Sequence, residues 1–532
     1  MRSTARFLGL FTLMPALLFG ATRAPLEISR ADYEDRVAAI WNGQIIATLL
    51  GFPFEHRAAA VRSIVGEPIM YKGERLTVAP IDDDWYYEMV AIRAFEKHGI
   101  NLTADQLGEF WVEYACGSFG SSQIALAHLQ KGIKGSETGH PRHNKFWYSI
   151  GPQFSGDVWG ALAPGLPNVA ARLARQFGHI NGYAEGTDGG VFVATMISLG
   201  FVESDVRAIV REAVTVLHPE SPFRQGIELV IERAEAGDSF AEVIEAVESR
   251  WHLAYPATNN AVANGGIVAA GLWFGGGDFW RTVDLIAGAA DFTDADCNAA
   301  NAISVVAAIH GMKALPPELV AQLGDRIVDT DMGKVTFPYP VDESISELAR
   351  RTAAVGEKIV LAEGARPKGD RLVIPAQTVA MQPLERFRLE DLMQYWNPEW
   401  TLVRPGFGGG DAGWLRTFVM TWLEGDVLHT YPRDPVIRGC YLTRTLVPSE
   451  GAKLKVDVGA EAGRSWRLLV FVDNQQLEER VIKGGEDDRG WHSLEYDLGK
   501  YAGKETVLRL YQRVLYREGN PGNALWRNLR VE

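Results

Sequence analysis

Cysteine is scarce in this chain of 532 residues, and the three that occur, Cys116, Cys297 and Cys440, are widely separated. So few cysteines exclude a disulfide-stapled scaffold, and no CxxC or paired Cys/His spacing indicates a structural zinc site. Basic residues are also outnumbered, with 53 Lys and Arg against 67 Asp and Glu, a formal net charge of −14 at pH 7. This balance argues against nucleic acid or an anionic membrane as the main partner.

Long apolar runs are missing as well, apart from one at the N-terminus. Arg2 and Arg6 precede an apolar stretch from Phe7 to Gly20, which small residues follow. This arrangement is typical of a signal peptide, and the stretch is short for a membrane span. We therefore expect residues 1–24 to be a signal peptide and the protein to be exported, periplasmic or extracellular, with no membrane span after cleavage. An uncleaved N-terminal membrane anchor is the alternative.

Most of the chain has a helical pattern. At 58.6 kDa the chain is too long for one ordinary domain, so two are expected. From about Arg30 to Glu363 apolar residues recur at helical spacing, and Gly and Pro break the runs at short intervals. Sustained strand alternation is not evident there. The sequence predicts an all-α bundle of many modest helices over residues 30–365.

The pattern changes to strands after about Pro367. Leu372–Pro375 opens a series of short apolar segments that turn residues separate, among them Arg467–Val472 and Thr506–Tyr511. Short strands at close spacing are typical of a β-sandwich. We predict an all-β sandwich, galactose-binding-like, over residues 371–532, and the Gly-, Lys- and Pro-rich stretch before it is the expected linker.

Three acidic residues, Asp82, Asp83 and Asp84, stand side by side immediately before an amphipathic segment that ends at Gly99. One or two acids at a helix start are explained by N-capping and the helix dipole. Three adjacent carboxylates repel one another unless a cation or protons intervene. The cluster is therefore a candidate metal site, with helix capping as the alternative.

A second acidic cluster, Asp294-Ala295-Asp296-Cys297-Asn298, opens a helix-like segment that ends near Gly311. Two carboxylates two residues apart at a helix start can point towards one ion. Oxygen-rich sets of this kind suit Mg²⁺, Mn²⁺ or Ca²⁺ better than zinc. If the two clusters meet in space, five carboxylates could hold two cations.

A third piece, Gly51-Phe52-Pro53-Phe54-Glu55, ends a helix at a glycine and presents a lone Glu55, which by itself is most simply a surface acid. In their order and spacing, this piece, Asp82-Asp83-Asp84 and Asp294-Ala295-Asp296-Cys297 resemble motifs of the ADP-ribosylglycohydrolase family. Further stretches, such as Ile150-Gly151-Pro152-Gln153, resemble its exported and crystallin-related branch. The resemblance covers roughly residues 35–311 and implies that family's all-α fold.

The resemblance implies a centre of two ions, Mg²⁺ or else Mn²⁺ or Ca²⁺. The implied metal ligands are Asp82, Asp83, Asp84, Asp294, Asp296 and Cys297. Two positions depart from the family: Asp82 replaces the usual Thr, and Cys297 stands where a Thr or Ser hydroxyl often ligates. Because a thiol is a poor partner for a hard cation, we expect the second ion to be held differently or weakly. Asn298 is an alternative oxygen donor.

Catalytic and substrate-binding residues follow from the same resemblance. Asp83 or Asp84 is the expected proton acceptor, and Glu55 is a ligand to metal or water or a residue gating access. The implied substrate contacts are Asn144, Asp157, His179, Asn181 and Gly182. For His179, an ordinary hydrogen-bonded histidine is an equally good interpretation.

The expected reaction is metal-assisted hydrolysis of a glycosidic bond in an ADP-ribosyl or related ribose-like, furanosyl substrate. Predicted export raises two alternatives: an exported glycoside hydrolase acting on another glycan, and a non-catalytic carbohydrate-binding or structural protein on the same scaffold. The presence of every acidic position argues against the non-catalytic alternative. In each case the expected partner is a small molecule or a glycan.

Overall fold

The computed structural model describes residues 23–56, 63–255, 259–289, 293–403, 421–430, 440–513 and 521–532. It has a helical part and a C-terminal part built from antiparallel sheets, so the predicted fold class is confirmed. The predicted signal peptide lies outside the described residues except for its last two positions. The helices are α1 (Arg30–Gly51), α2 (Asp83–His98), α3 (Ala104–Glu113), α4 (Gly120–Leu129), α5 (Gly151–Phe154), α6 (Gly156–Ala161), α7 (Pro167–Gly178), α8 (Glu185–Gly200), α9 (Val206–Ala213), α10 (Pro222–Glu235), α11 (Phe240–Trp251), α12 (Ala261–Gly275), α13 (Phe279–Gly288), α14 (Ala295–His310), α15 (Pro317–Leu323), α16 (Ile345–Ala362) and α17 (Leu389–Trp396).

The strands form one three-stranded sheet, two hairpins and two five-stranded sheets. They are β1 (Leu26–Ser29), β2 (Met70–Tyr71), β3 (Glu74–Arg75), β4 (Ile327–Met332), β5 (Val335–Glu343), β6 (Arg366–Lys368), β7 (Arg371–Ile374), β8 (Thr401–Val403), β9 (Trp422–Glu424), β10 (Val427–Thr430), β11 (Cys440–Leu446), β12 (Lys453–Ala460), β13 (Ser465–Val472), β14 (Gln475–Lys483), β15 (His492–Asp497), β16 (Thr506–Arg513) and β17 (Ala524–Val531).

Helix α1 runs through the core of the helical part, and its most extensive contacts are with α14. Its residues Arg30–Phe54 are long and apolar enough to span a membrane by composition, but 78% of the apolar window is buried within the protein. The two helices approach closely because glycine faces α14. A Cβ atom at Gly51 would lie 2.6 Å from the Asp296 Cα atom. This contact brings the end of α1 to the beginning of α14.

Both helices predicted to follow the acidic clusters are present. Asp82 is the N-cap of α2 and accepts a hydrogen bond from the Asp84 backbone N–H at 3.4 Å, and the helix ends at Gly99 with φ 75°. Helix α14 begins after Asp294 and ends at Gly311, whose φ is 68°. Positive φ favours glycine at both helix ends. Asp82 therefore caps α2 and is also a member of the acidic cluster, so the two interpretations of this cluster do not exclude each other.

Hairpins β2–β3 and β4–β5 interrupt the helical part, where sustained strand alternation is not evident in the sequence. Strands β2 and β3 are two residues long each. In β4–β5 the register shifts between Asp329 and Asp331, which breaks the alternation of buried and exposed residues. Strands β2 and β3 are too short, and β4–β5 too irregular, to produce a recognisable alternation of buried and exposed residues in the sequence.

The segment from Leu372 to Ile374, which the sequence assigned to the sandwich, instead belongs to β7 and pairs antiparallel with β1 at the start of the helical part. Strand β6 covers the other edge of β7. Leu372 and Ile374 are both fully buried, which explains the pairing. The expected linker thus lies in and beside a hairpin attached to the helical part. The domain boundary between residues 365 and 371 stays a prediction.

Residues 375–388, here called the connecting segment, join β7 to α17 without regular secondary structure and lie along the helical part. The Asn168 side chain donates to the Thr378 carbonyl at 2.9 Å and accepts from the Ala380 backbone N–H at 2.8 Å. The Gln382 backbone N–H donates to the Val216 carbonyl at 2.7 Å. The connecting segment is therefore fixed to α7 and to the turn after α9.

Two five-stranded antiparallel sheets make the C-terminal part, in the orders β15-β12-β17-β10-β9 and β14-β13-β16-β11-β8. The sheets face each other. The rings of Trp466 in β13 and Trp526 in β17 have centroids 5.0 Å apart. The Thr430 hydroxyl in β10 donates to Gln512 in β16 at 2.7 Å. This is the predicted sandwich, and among the described residues its first strand is β8.

Candidate metal centre and active site

A cavity of about 800 Å³ opens where the end of α1, the start of α2 and the start of α14 meet. Its wall brings together side chains that are far apart in the sequence. The predicted site residues in this wall are Glu55, Asp82, Asp83, Asp294, Asp296 and Cys297. Asp84 is 1% exposed and lies outside the wall, and the Thr48 hydroxyl donates to its Oδ2 atom at 3.3 Å.

Two groups of possible metal ligands lie in this region. The His56 set consists of Glu55, His56 and Asp294, and the Cys297 set consists of Asp84, Asp296 and Cys297. Within each set one ligand atom from each residue lies within 4.8 Å of the others. Each set combines residues from two distant elements, so the acidic clusters do meet in space. Their role as metal ligands stays a prediction.

Buried carboxylate oxygens without a protein partner surround this meeting point. Oδ1 of Asp84, of Asp294 and of Asp296 has no hydrogen-bond partner within the described part of the chain. A buried polar atom left unpaired costs about 1–3 kcal/mol, and a charged one costs more. Three such oxygens, two in the Cys297 set and one in the His56 set, fit a centre that binds cations.

The carboxyls also hold their protons unusually tightly. Burial, and then the charge of neighbouring carboxylates, raises the pKa of Asp83, Asp84 and Asp296 well above the usual range. Burial raises the pKa of Asp294 to about 6. Taking several like charges out of water together is unfavourable without an opposite charge. A bound cation would supply that charge and displace the protons.

Asparagine side chains and one strained backbone position the second acidic cluster. Asn259 donates to Asp294 Oδ2 at 2.6 Å, and Asn264 Oδ1 accepts from the Asp294 backbone N–H at 3.0 Å. The His56 backbone N–H donates to the Thr293 carbonyl at 2.8 Å, and His56 has φ 52°. A non-glycine residue in this region is held there by its surroundings. The contact ties the end of α1 to the residue before Asp294.

Sequence reasoning missed part of the cavity wall. Among the additional residues are His56, Tyr71, Lys72, Phe119, Asn259, Asp329 and Asp331. Asp329 in β4 accepts a hydrogen bond from the Ile81 backbone N–H at 3.1 Å, which fixes the residue before the first acidic cluster. Asp329 and Asp331 repeat the spacing of Asp294 and Asp296, so the sequence contained a pattern from which this part of the wall could have been predicted.

Three of the predicted substrate contacts lie behind the cavity wall. Asn144 donates to the Ser121 carbonyl at 2.8 Å, and Asn181 donates to the Ser122 hydroxyl at 3.0 Å. A Cβ atom at Gly182 would lie 2.4 Å from the Pro152 side chain. Ser121 and Ser122 are themselves wall residues. In this structure Asn144, Asn181 and Gly182 support the wall and do not form it.

The other two predicted substrate contacts, Asp157 and His179, do not line the cavity and make hydrogen bonds to other protein groups. Asp157 is fully buried and accepts hydrogen bonds from Asn301 at 3.0 Å and Ser304 at 2.8 Å, both in α14. His179 Nε2 lies 2.8 Å from Glu385 Oε1 in the connecting segment. The ordinary hydrogen-bonded histidine is therefore what the structure shows, and Asp157 is part of the packed interior.

Glu385 links the connecting segment to α7 and α8. It accepts from Arg175 at 3.0 Å and from the Thr187 hydroxyl at 2.9 Å. Burial alone would raise the pKa of Glu385, but the hydrogen bond with His179 and the charge of Arg175 outweigh it and lower the pKa to about 2.

Two residues further on, the Phe387 ring lies 6.0 Å from the ring of Trp147, which adjoins the wall residue Phe146.

Comparison with known proteins bears on the helical part. Residues 29–358 match the family model described as ADP-ribosylglycohydrolase. No curated protein matches the chain. Among solved structures, one described as an ADP-ribosylglycohydrolase-related protein complex aligns with a TM-score of 0.42 and 14% identity, over 62% of this chain and 99% of that one. A family GH115 4-O-methyl-α-glucuronidase with specificity for decorated arabinogalactans aligns with a TM-score of 0.16 and 10% identity, over 69% and 42%. Both alignments are too distant to support an inference about activity.

Proposed function

This chain belongs to the ADP-ribosylglycohydrolase family, and we propose that it is a metal-dependent glycosidase acting on an ADP-ribosyl or related furanosyl substrate. Family membership supports a glycosidic hydrolase. The observation that supports the finer proposal is the meeting of acids from α1, α2 and α14 around unpartnered buried oxygens in one cavity. Such a cavity has little structural purpose without a cation.

Two divalent cations are proposed to bind between the start of α2 and the start of α14. Oxygen donors outnumber all others in the cavity, which favours Mg²⁺, or Mn²⁺ or Ca²⁺, for the centre as a whole. When bound, such cations lower the pKa of a coordinated water and offset the negative charge around it. The ligands proposed from the protein are Glu55, Asp82, Asp83, Asp84, Asp294, Asp296 and Cys297.

Asp83 is the better placed of the two proposed proton acceptors. Its carboxyl lines the cavity, whereas Asp84 is nearly inaccessible and bonded to Thr48. Its place in the cavity wall lets the Asp83 carboxylate accept a proton from a water bound in the cavity. In this proposal Asp83 accepts the proton, and Asp84 is a metal ligand through its unpartnered Oδ1 atom.

Glu55 stands on the side of the cavity formed by the end of α1, with Oε1 3.3 Å from His56 Nε2. This position suits its proposed part as a ligand to metal or water. Aromatic rings of Phe52, Tyr71 and Phe119 line the same cavity together with Lys72. Flat rings and a cation suit a substrate with a base or an anionic group beside its sugar, and this favours an ADP-ribosyl compound over a simple glycan.

The test is hydrolysis of ADP-ribosyl-arginine compared with a panel of aryl furanosides, using chelator-treated full-length protein with and without added Mg²⁺, Mn²⁺ or Ca²⁺. We expect turnover only with a cation, and loss of turnover in Asp83→Asn. Asp487→Asn is the matched control because that exposed side chain lies in the sandwich. Furanoside turnover without turnover of the ADP-ribosyl substrate would favour the glycan alternative. No turnover of any substrate would contradict the proposal.

Export of the protein, which residues 1–24 predict, is part of the proposal. Mass spectrometry of the protein from its native host should find the first 20 or so residues missing. A cytoplasmic protein that keeps Met1 would contradict this part.

A further inference from the structure

Cys297 is one of the wall residues of the metal cavity. It is the third residue of α14 and is 6% exposed. Its Sγ atom lies within 4.8 Å of a carboxylate oxygen of Asp84 and of one of Asp296. Cys440 makes a useful contrast, because its Sγ atom contacts Gln512 Oε1 at 3.4 Å inside the sandwich. Cys297, by contrast, lies beside two carboxylates.

The two carboxylates of the Cys297 set each carry an oxygen without a partner. Oδ1 of Asp84 and Oδ1 of Asp296 are buried and unbonded within the described residues, and the side chains are 1% and 4% exposed. These atoms provide an independent sign that the set binds something. The three residues together offer two hard oxygens and one soft sulfur.

Sulfur decides which cations suit this set. Mg²⁺ and Ca²⁺ are hard cations that take six or more oxygen ligands, and a soft thiolate is a poor ligand for either. Zn²⁺ accepts sulfur, nitrogen and oxygen ligands together in a four-coordinate arrangement. Three protein ligands plus one open position is the arrangement found in catalytic zinc sites. The Cys297 set offers three protein ligands, one of them sulfur.

We propose that the Cys297 set binds a thiophilic divalent cation of the Zn²⁺ class through the Cys297 thiolate. The thiol proton leaves to solvent when the cation binds, so the Cys297 sulfur and the two carboxylates become its ligands. This deepens the proposed function and rests on it, since it assigns a different kind of cation to one of the two positions. The His56 set contains no sulfur, so a thiolate signal can come from the Cys297 set and not from the His56 set.

Cobalt substitution tests the proposal without relying on activity. Full-length protein is stripped with a chelator, loaded with Co²⁺ and examined by absorption spectroscopy. We expect a thiolate-to-Co²⁺ charge-transfer band in the near ultraviolet that disappears when Zn²⁺ is added. The band should be absent in Cys297→Ser and unchanged in Cys440→Ser, which is the same chemical change in the sandwich. Loss of the sulfur ligand should weaken Zn²⁺ binding by about tenfold or more, whereas the serine hydroxyl, a harder donor, should not weaken Mg²⁺ binding.

A second measurement covers the case in which Cys297→Ser does not fold. Alkylation of Cys297 in the parent protein by a small thiol reagent, followed by mass spectrometry, should be slowed by Zn²⁺ and not by Mg²⁺. Cation binding without a charge-transfer band, or a band that persists in Cys297→Ser, would overturn the sulfur ligand while leaving the proposed function intact. No binding of any divalent cation would instead overturn the proposed function.

Discussion

At the scale of single residues, Asp296 shows what the cavity requires of its acids. Replacing it with the isosteric amide removes a carboxyl whose ionisation is made unfavourable by burial and by the neighbouring Asp294. We expect Asp296→Asn to abolish activity and to raise the melting temperature of the chelator-treated protein, because like charges repel at short range. The free energy of unfolding of the chelator-treated protein should rise by about 1 kcal/mol.

Calorimetric titration and thermal melts with and without cations measure both effects. The parent should gain stability on adding a cation, and Asp296→Asn should gain little. Asp487→Asn should behave like the parent. Equal stabilisation of parent and variant by the cation would contradict a ligand role for Asp296.

Gly51 tests the contact that assembles the site. A Cβ atom there would meet backbone atoms of Asp296 and Ala295 at 2.6–2.8 Å, so Gly51→Ala must move the end of α1 away from α14. We expect a loss of about 1–3 kcal/mol in the free energy of unfolding and weaker cation binding. Gly288→Ala is the control, because nothing lies within 4 Å of a Cβ atom there. Denaturant titration of both variants measures the free energy of unfolding, and an equal value for Gly51→Ala and Gly288→Ala would contradict the close contact.

The acids of the site could be predicted because their grouping has no local structural cause. Asp82 alone caps α2, so helix capping does not explain why Asp83 and Asp84 are also acidic. The supporting residues could not be predicted in the same way. Thr48 lies near the end of α1 and Asn264 near the start of α12, and a polar residue inside a helix does not by itself indicate which neighbour it meets. Their contacts depend on how the helices pack, which periodicity does not reveal.

At the scale of elements, Glu385 holds the connecting segment to α7 and α8. Its folded pKa is about 2 and its unfolded value is 4.5, so the ionised form stabilises the fold. This contribution is fully present above pH 4.5 and is lost as the pH falls towards 2. We expect Glu385→Gln to lower stability at pH 7 by at most about 3 kcal/mol and to flatten its dependence on pH below 4.5.

Thermal melts of the two proteins between pH 2 and pH 7 provide the measurement. Glu220→Gln is the control, since Glu220 pairs with Arg386 of the same segment at 3.2 Å but with side chains that are 65% and 51% exposed. An exposed pair should contribute less than about 1 kcal/mol. Parallel pH profiles for the parent and Glu385→Gln would contradict the stabilising role.

The bounds of the long helices could be predicted from the sequence, whereas the pairing of the short strands could not. Helices α2 and α14 have acidic starts and glycine ends, so their bounds were close to those predicted. Strand β7 was recognised as a strand but assigned to the sandwich. Its partner β1 lies at the other end of the helical part, and strand pairing between distant segments leaves no local signal.

At the scale of the whole molecule, the pairing of β1 with β7 fixes how much chain the helical part needs. A fragment of residues 23–365 lacks β7 and leaves Ile28 without its buried partner Leu372. We expect this fragment to aggregate or melt at a lower temperature than a fragment of residues 23–388. The longer fragment should bind cations as the full chain does. Expression, melting and calorimetry compare them, and equal stability of both fragments would contradict the importance of the pairing.

The same pairing has a consequence for the order of events during synthesis. Strand β1 is among the first described residues to leave the ribosome, and β7 follows only after α16 is complete. At about 5–20 residues per second, β1 waits tens of seconds for its partner. During that interval its hydrogen-bonding edge is open to other nascent chains. Closure of the helical part is therefore a late step, and a chaperone that shields the N-terminal strand would act before any residue of the sandwich exists.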